Sequence, residues 1–275
     1  MDYLRAVQRG GDTVLTGVRF FNLAQTLDNG QAFRWREGCD GAFSGIAFGR
    51  RVTIIHAGDT VTFKNTPIED FENIWKKYLD FTRDYSDLRK QIAVSEGEFL
   101  HSALEYSPGL RLMRQDVWEV LISFILSQNS NIPRIKNMIE ALCQSFGEKL
   151  PCGGYTFPTP QVLANLHPNG LNMIKSGYRS PYILDAAKKT ASGEFNPTEL
   201  EKLSSEEIYK ELLKIHGVGP KVAECVLLFG FGRVERYPVD VWIKRAMEKH
   251  IPEGFINKEY QGIAQQFVFH YARRK

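Results

Sequence analysis

Cysteine is scarce in this 275-residue chain, which contains only four copies. They are Cys39, Cys143, Cys152 and Cys225, and no two form a C-x-x-C pair, so the ligand spacing of zinc fingers is excluded. A single cysteine follows Cys152, so the C-terminal part lacks the four thiolates of an iron–sulfur cluster. We therefore expect reduced thiols, no iron–sulfur cluster and an intracellular protein, in the cytoplasm or nucleoid if the source is bacterial.

The sequence also lacks long apolar runs. No stretch approaches the ~18 apolar residues of a membrane helix, and the first residues have no apolar signal core, so no membrane association is expected. Hydrophobic residues make up 43% and charged residues 24%, which excludes disorder, collagen and a disulfide scaffold for the whole chain. The net charge is only +3, from 35 basic and 32 acidic residues. Because residues 101–275 hold the basic excess, they are the better candidate for binding a polyanion.

The N-terminal residues have the pattern of an antiparallel sheet. Turn formers such as Asp28-Asn29-Gly30 and Gly58-Asp59 separate short runs of β-branched and aromatic residues. Connections this short favour an antiparallel meander over parallel βαβ units. The predicted strands cover residues 14–20, 21–27, 32–36, 42–48, 51–57 and 60–65.

From about residue 68 the apolar residues recur three and four positions apart, which predicts helices. The predicted fold class is α+β, with an N-terminal domain over residues 1–98, made of an antiparallel sheet with helices, and a larger all-helical domain over 99–275. The boundary is approximate because helices begin before it. The predicted helices cover residues 69–78, 116–127, 132–146, 181–192, 206–214, 220–229, 241–250 and 258–272.

A glycine hairpin between two of these helices is the sharpest pattern in the chain. Ser204 and Glu207 form a capping-box pattern, and Gly217 and Gly219 stand just before Pro220, which suits a first helical turn. Amides near Gly219 would then face outward from a helix N-terminus, as in sites that bind a phosphate without reading sequence. A plain helical hairpin with a glycine turn explains the glycine spacing equally well.

Lys221 favours a functional hairpin because the N-terminal turn of a helix disfavours a cation. Such a lysine binds phosphate or acts as an uncharged nucleophile that forms a Schiff base. Asp240 follows 19 residues later and has the pattern of a helix N-cap. Capping alone explains Asp240, but an ionised carboxylate near a sugar also stabilises positive charge while a glycosidic bond breaks.

Together with the hairpin, these residues resemble the helix-hairpin-helix DNA glycosylase superfamily. Over nearly its whole length the chain resembles the 8-oxoguanine DNA glycosylase/lyase family within it. Four further segments carry the resemblance, in the family's order: 28–36 (base-recognition loop), 127–135 (asparagine wedge), 177–179 (duplex-filling pair) and 262–269 (pocket helix). The resemblance implies that Lys221 and Asp240 are catalytic in a bifunctional base-excision-repair enzyme, which removes 8-oxoguanine from duplex DNA and then cleaves the strand by β-elimination.

The resemblance also implies a pocket that reads the flipped base. In it, the Gly30 carbonyl would accept from N7–H of the oxidised guanine and would repel the lone pair at N7 of normal guanine. Gln265 would bond the Watson–Crick edge, Phe269 and Cys225 would sandwich the ring, and Phe33 would complete the pocket. Taken singly, Phe269 and Cys225 also suit an ordinary core and Gly30 an ordinary turn.

The family's wedge and opposite-base contacts fall on four residues. Asn129 would fill the gap left by the base, Tyr178 would wedge the stack, and Arg134 and Arg179 would donate to the orphaned cytosine. The resemblance therefore implies a preference for cytosine opposite the lesion. Taken singly, Asn129 also suits a helix cap, Arg134 a solvated helix face, and Tyr178-Arg179 a surface turn.

The hairpin completes what the resemblance implies. Phosphate contacts would come from Gly217, Val218 and Gly219, and the backbone carbonyls of Leu213, Ile215 and Val218 would hold a structural monovalent cation. No cofactor is required, and the expected partner is double-stranded DNA containing oxidised guanine, bound by a monomer. The chain departs from the better-known eukaryotic members at Trp242, where they have histidine, and at His270-Tyr271, where they have an acidic residue nearby.

Other functions are compatible with parts of this pattern. A helix-hairpin-helix glycosylase for a different damaged base would share the hairpin, although alkylation enzymes usually lack the lysine. A non-catalytic DNA-binding module would need neither Asp240 nor the pair Gly30 and Gln265. A structural helical protein with a coincidental hairpin would show no salt-sensitive DNA affinity.

Overall fold

The computed structural model describes residues 1–95 and 97–274. The chain divides into two compact units. The first unit contains residues 1–45, 52–114 and 234–275, and the second contains residues 46–51 and 115–233.

The sheet has six strands in the order β1-β2-β6-β5-β4-β3. The pairs β1–β2, β2–β6, β5–β6 and β3–β4 are antiparallel, which confirms the predicted antiparallel sheet. Val52 and Ile54 alternate with more exposed residues, as do Val61 and Phe63, so each of these strands buries one face. The strands are β1 (Arg5–Arg9), β2 (Asp12–Thr16), β3 (Trp35–Glu37), β4 (Phe43–Ala47), β5 (Arg50–Ala57) and β6 (Thr60–Lys64).

Two details of the sheet differ from the sequence prediction. The strand predicted over residues 21–27 is wrong, because Leu23–Leu27 is a short helix, α1. Phe20 has a φ of 50°, which ends extended backbone, and the Asn22 side chain caps the helix by accepting from the Gln25 amide. The sequence prediction also missed β1, whose five residues are mostly polar and exposed.

Helices complete the first unit. Their residues pack an aromatic core with the sheet, in which Trp35, Phe63, Phe71, Trp75 and Phe81 are all buried. Between α2 and α3 the chain continues as a π-helical segment, Phe71–Trp75. The helices are α2 (Ile68–Asp70), α3 (Lys76–Tyr78), α4 (Tyr85–Ser95), α5 (Glu98–Tyr106), α13 (Val241–His250) and α14 (Gln261–Arg274).

The second unit is helical. Central helix α6 buries nearly every side chain, and it packs on α12, with the Phe124 and Phe229 rings stacked at 5.4 Å. Short 3-10 segments, Pro168–Ile174 and Gly177–Arg179, precede α9. The helices are α6 (Val117–Ser127), α7 (Ile132–Phe146), α8 (Pro160–Ala164), α9 (Ser180–Ser192), α10 (Pro197–Leu200), α11 (Ser205–Leu213) and α12 (Pro220–Phe229).

Candidate active site

Four local sequence features form the predicted hairpin in the second unit: a capping box, two glycines and a proline. Ser204 and Glu207 form both bonds of a capping box at the start of α11, as predicted. After α11 the chain turns at Gly217, whose φ of 79° lies in the region that favours glycine. Gly219 is extended and caps α12, and Pro220 occupies its first turn. The hairpin and both flanking helices are therefore confirmed.

Helix α9 holds the hairpin through three residues that the sequence analysis missed. The Asp185 carboxylate accepts from the His216 amide at 2.8 Å, and Lys189 Nζ donates to the Lys214 carbonyl at 2.6 Å. The Tyr182 ring lies against Gly217, where a Cβ atom would be 2.2 Å from ring Cγ. Tyr182, Asp185 and Lys189 are three and four residues apart on one helix face, a spacing that sequence reasoning can detect.

The N-terminus of α12 presents unpaired amides. No side chain caps this helix. Among residues 1–95 and 97–274 the Gly217 and Gly219 amides have no hydrogen-bond partner, whereas the Val218 amide donates to the Ile215 carbonyl at 3.0 Å. A Cβ atom at Gly219 would meet open space. Two free amides on an open helix N-terminus form a site suited to an anion.

Lys221 lies in this first turn and is half-buried. Its Nζ atom is 3.5 Å from Ser127 Oγ and 5.0 Å from the centroid of the Phe124 ring. Within the described part of the chain it forms no ion pair, so no carboxylate holds its amine. One turn later on α12, the Cys225 thiol is buried. The amine is therefore placed by a hydroxyl and a ring face.

The predicted wedge residues also lie in the second unit. Asn129 is exposed with a φ of 47°, and Arg134 is exposed on the first turn of α7. Tyr178 is 52% exposed. Arg179 differs, because it is buried and its guanidinium donates to backbone carbonyls of Gln128, Asn129 and Ser176. Thus Arg179 holds the loop before α7 in this structure, and reaching a base requires an exchange of those partners.

In the first unit, the predicted base-recognition loop is built around Gly30, whose φ is 88°. The neighbouring Gln31 side chain is buried and makes three bonds, donating to the Thr26 and Arg111 carbonyls and accepting from the Met113 amide. These bonds fix the loop, so the Gly30 peptide has a defined direction. Phe33 is buried just after the turn.

The other predicted residues of the first unit lie on α13 and α14. Asp240 caps α13, and its Oδ1 accepts from the Ile243 amide at 2.9 Å, which confirms the predicted cap. On α14, Gln265 is buried and accepts from the side-chain amide of Gln266, and Phe269 is half-buried. Trp242, the departure from the eukaryotic pattern, is 39% exposed.

Within 1–95 and 97–274, no group of three His, Cys, Asp or Glu side chains is arranged to hold a metal ion. In the same residues, no helix combines the length and the apolar character needed to cross a bilayer.

Two helices joined by a short glycine hairpin, with an open N-terminus and a lysine in the first turn of the second helix, form a helix-hairpin-helix motif. Residues 122–259 match the model of the HhH-GPD superfamily of base excision DNA repair proteins. Residues 13–121 match the model of the N-terminal domain of 8-oxoguanine DNA glycosylase. Both parts of the chain therefore point to one family.

Relatives with known names or solved structures match this chain over 92–100% of its length. A probable N-glycosylase/DNA lyase of Methanothermobacter thermautotrophicus is 30% identical over 92% of this chain and 94% of that protein. The structure of MBOgg1 in complex with a low-affinity DNA ligand is 39% identical, covers 100% and 99% of the two chains, and has a TM-score of 0.94. The 8-oxoguanine glycosylase/lyase of Clostridium acetobutylicum, solved with double-stranded DNA containing cytosine opposite 8-oxoG, is 33% identical over 100% and 99%, also with a TM-score of 0.94.

The chain belongs to the 8-oxoguanine DNA glycosylase/lyase family, whose members are bifunctional DNA N-glycosylases and lyases. The family resemblance and the α+β fold class predicted from the sequence are confirmed. A glycosylase for another base, or a passive DNA-binding module, is not favoured, because the N-terminal model specific to 8-oxoguanine DNA glycosylase matches in addition to the general superfamily model.

Proposed function

We propose that this protein excises 8-oxoguanine from duplex DNA, preferentially opposite cytosine, and cleaves the resulting abasic site by β-elimination. The observation that carries this is Lys221, an amine without an ion pair among the described residues, in the first turn after a hairpin with free amides. A primary amine at that position suits a glycosylase that is also a lyase, because only an amine can form a Schiff base with the sugar.

The mechanism assigns complementary roles to Lys221 and Asp240. The uncharged Lys221 amine forms a bond to C1′, and the electron pair of the N-glycosidic bond leaves with the base. The ionised Asp240 carboxylate stabilises the oxocarbenium-like transition state and helps to deprotonate the lysine. Opening of the sugar gives an imine to Nζ. Loss of a C2′ proton then expels the 3′ phosphate and nicks the strand.

The base pocket we propose uses Gly30, Phe33, Cys225, Gln265 and Phe269. The rigid Gly30 loop supports this assignment, because a carbonyl discriminates N7–H from a lone pair only when its direction is fixed. A repelled buried acceptor costs about 1–3 kcal/mol, which is enough to separate the lesion from normal guanine. The buried Gln265 amide is suited to hydrogen bonds with the base edge.

For the duplex we propose that Asn129 fills the gap, Tyr178 wedges the stack, and Arg134 and Arg179 bind the orphaned cytosine. The exposure of Asn129, Arg134 and Tyr178 supports this. Arg179 joins them by exchanging its carbonyl partners for the base. At the hairpin, Gly217 and Gly219 donate to a phosphate, and Val218, whose amide is engaged, keeps the turn closed.

Several finer expectations stay predictions. They are the structural monovalent cation on the carbonyls of Leu213, Ile215 and Val218, the lack of an iron–sulfur cluster, an intracellular location, a monomeric state, and a domain boundary between residues 98 and 99. The Ile215 carbonyl already accepts from Val218 and has a second lone pair available for a cation.

The direct test uses four duplexes that carry 8-oxoguanine opposite cytosine, adenine, guanine or thymine. We expect excision to be fastest opposite cytosine and strand cleavage to appear without added alkali. Undamaged duplex of the same sequence serves as the control. If the protein binds DNA but excises 8-oxoguanine from none of the four duplexes, the proposal is contradicted and a binding module is favoured.

Replacing Arg134 with alanine is expected to weaken discrimination by the opposite base. Loss of a fork of donors facing cytosine reduces excision about tenfold opposite cytosine and little opposite adenine, since one good base contact is worth about 1–3 kcal/mol. Single-turnover rates on both duplexes measure this. Asn137→Ala, exposed on the same helix, is the control and is expected to leave the ratio unchanged. An unchanged ratio in Arg134→Ala would remove Arg134 from opposite-base recognition.

Replacing Gly217 with alanine is expected to damage the hairpin. The new Cβ would meet the Tyr182 ring at 2.2 Å, and the positive φ alone costs about 1–2 kcal/mol for a non-glycine residue. We expect lower thermal stability and DNA affinity reduced by about tenfold or more, since two free amides lose their geometry. Gly193→Ala is the matched control, because its φ is 84° but its Cβ meets nothing within 4 Å. Equal effects of both substitutions on affinity would show that the hairpin geometry is unimportant.

A further inference from the structure

Gln128 connects the loop before α7 to the glycine hairpin. It follows Ser127 at the end of α6 and precedes Asn129. Its side-chain Nε2 donates to the Gly217 carbonyl at 3.1 Å and to the Ile125 carbonyl at 3.3 Å. A half-buried amide thus ties the end of α6 to the turn whose neighbouring amides are free.

The backbone of Gln128 connects the same point to a third segment. Its carbonyl accepts from Arg179 Nε at 2.8 Å and from Arg179 Nη2, and the Tyr178 hydroxyl lies at 3.3 Å. We call Gln128, Gly217, Tyr178 and Arg179 the Gln128 junction. All four belong to the second unit, so this junction joins three loops of one compact body.

The junction lies next to a residue whose direction needs support. Asn129 has a φ of 47°, a conformation that asparagine tolerates but does not strongly prefer. Its carbonyl accepts from Arg179 Nη2 at 3.1 Å, so the peptides on both sides of the Cα atom of Asn129 are held from outside. Arg179 thus holds these two peptides, and the Gln128 side chain holds the residue just before Asn129 against the hairpin, so both support the direction of the Asn129 side chain.

We propose that Gln128 is a positioning residue that transmits the position of the phosphate-bound hairpin to the wedge residue Asn129. The inference rests on the proposed function. The two groups then have different roles. The hairpin amides set DNA affinity, and the Gln128 side chain sets the rate at which the lesion leaves the stack. A residue with this role changes the excision rate and leaves binding largely intact.

Glutamine suits this role because both of its partners are carbonyl oxygens. The amide supplies two N–H donors from one nitrogen. Methionine has a similar length without donors, so Gln128→Met removes the bonds and keeps the volume. Glutamate has the same shape but places an acceptor against two acceptors, so Gln128→Glu is expected to be the more severe change.

The test compares two substrates with each variant. On 8-oxoguanine opposite cytosine, we expect Gln128→Met to lower the single-turnover excision rate about tenfold, the size expected for one or two neutral hydrogen bonds, and Gln128→Glu to lower it further. On 8-oxoguanine opposite an abasic nucleotide, where the lesion is unpaired, we expect Gln128→Met to be within about threefold of wild type. Affinity for a duplex with a non-cleavable abasic analogue is expected to change less than about threefold.

Two controls separate positioning from folding. Gln144→Met removes a surface glutamine that donates to Glu140 within α7, and it is expected to match wild type on every substrate. Trapping of the imine on a preformed abasic site is expected to proceed normally in Gln128→Met. Because each variant is compared with itself on two substrates, partial misfolding cancels from the ratio.

The outcomes are distinct. Equal losses on paired and unpaired lesions, or an unchanged rate on both, overturn the positioning role while the proposed function stands. A large loss of DNA affinity in Gln128→Met also overturns the positioning role, since Gln128 would then support phosphate binding by the hairpin. If the wild-type protein excises 8-oxoguanine from neither duplex, the proposed function is wrong, and the positioning role, which rests on it, is wrong as well.

Discussion

Replacing Lys221 with glutamine is expected to abolish the covalent adduct that borohydride traps between this protein and DNA containing 8-oxoguanine. Excision should fall by roughly a thousandfold or more, because the nucleophile is removed and glutamine cannot form an imine. Gel assays of trapped adduct, base release and strand cleavage measure the three effects on one sample.

The surroundings of Lys221 make this substitution a clean one. Within the described residues its amine bonds the Ser127 hydroxyl, lies over the Phe124 ring face and forms no ion pair, so no carboxylate is left uncompensated when the charge is lost. We therefore expect the variant to fold and to bind duplex with nearly the wild-type affinity.

The salt dependence of binding distinguishes the two roles that the sequence left open for this lysine. If Lys221 only contacted phosphate, its removal would lower the slope of log affinity against log salt by about one and leave chemistry intact. A nucleophile leaves the slope unchanged and removes the chemistry. Lys202→Gln, which removes an exposed lysine paired with Glu199 at 2.8 Å, is the control. A trapped adduct that survives Lys221→Gln would falsify the assignment.

The sequence predicted the hairpin well because every part of it is a local signal. A capping box, two glycines and a helix-starting proline specify the bounds of α11 and α12 with no help from distant residues. Asp240 was likewise predicted as an N-cap from its neighbours alone. Local hydrogen bonds therefore made the backbone of this part of the candidate site predictable from the sequence.

The features that sequence reasoning missed depend on partners far along the chain. The apolar run at residues 21–27 resembles a strand, but distant Gly109 holds it as a helix, because its carbonyl accepts from the Asn22 amide at 2.8 Å and its amide donates to Gln25 Oε1 at 2.8 Å. The burial of Arg179 depends on carbonyls about 50 residues earlier. In each case the alternating or charged pattern is a weak prior that tertiary contacts override.

Replacing Arg111 with methionine is expected to destabilise the first unit by about 3–5 kcal/mol, the range for breaking a buried ion pair from one side. Arg111 is fully buried, and its Nη2 donates to the Asp2 carboxylate at 2.6 Å. Its other donors bond the carbonyls of Phe20 at 2.9 Å and Asp80 at 2.9 Å. Methionine fills the volume but leaves a buried carboxylate and two carbonyls without these bonds.

The loss of unfolding free energy in Arg111→Met is expected to be larger at pH 8 than at pH 5. Burial raises the pKa of the Asp80 carboxyl, and the Arg83 and Arg111 guanidinium groups act in the opposite direction. Without Arg111 the native pKa of Asp80 rises further above its unfolded value. The native state then binds this proton more tightly than the unfolded state, so its stability falls as pH rises through that range. Urea unfolding at both pH values measures the difference.

A second substitution at Asp2 tests whether the buried charge is the cause. Asp2 Oδ2 also accepts from the Tyr85 amide at 2.7 Å, so Asp2 links the start of α4 to the same network. Asp2→Asn combined with Arg111→Met is expected to be less destabilised than the sum of the single changes, because neither charge remains unpaired. Arg5→Met, which alters an exposed arginine on β1, is the control and is expected to change stability little. Strictly additive losses in the double variant would show that packing against the Phe81 and Tyr85 rings, 4.6 and 4.4 Å from the guanidinium carbon, carries the stabilisation instead of charge.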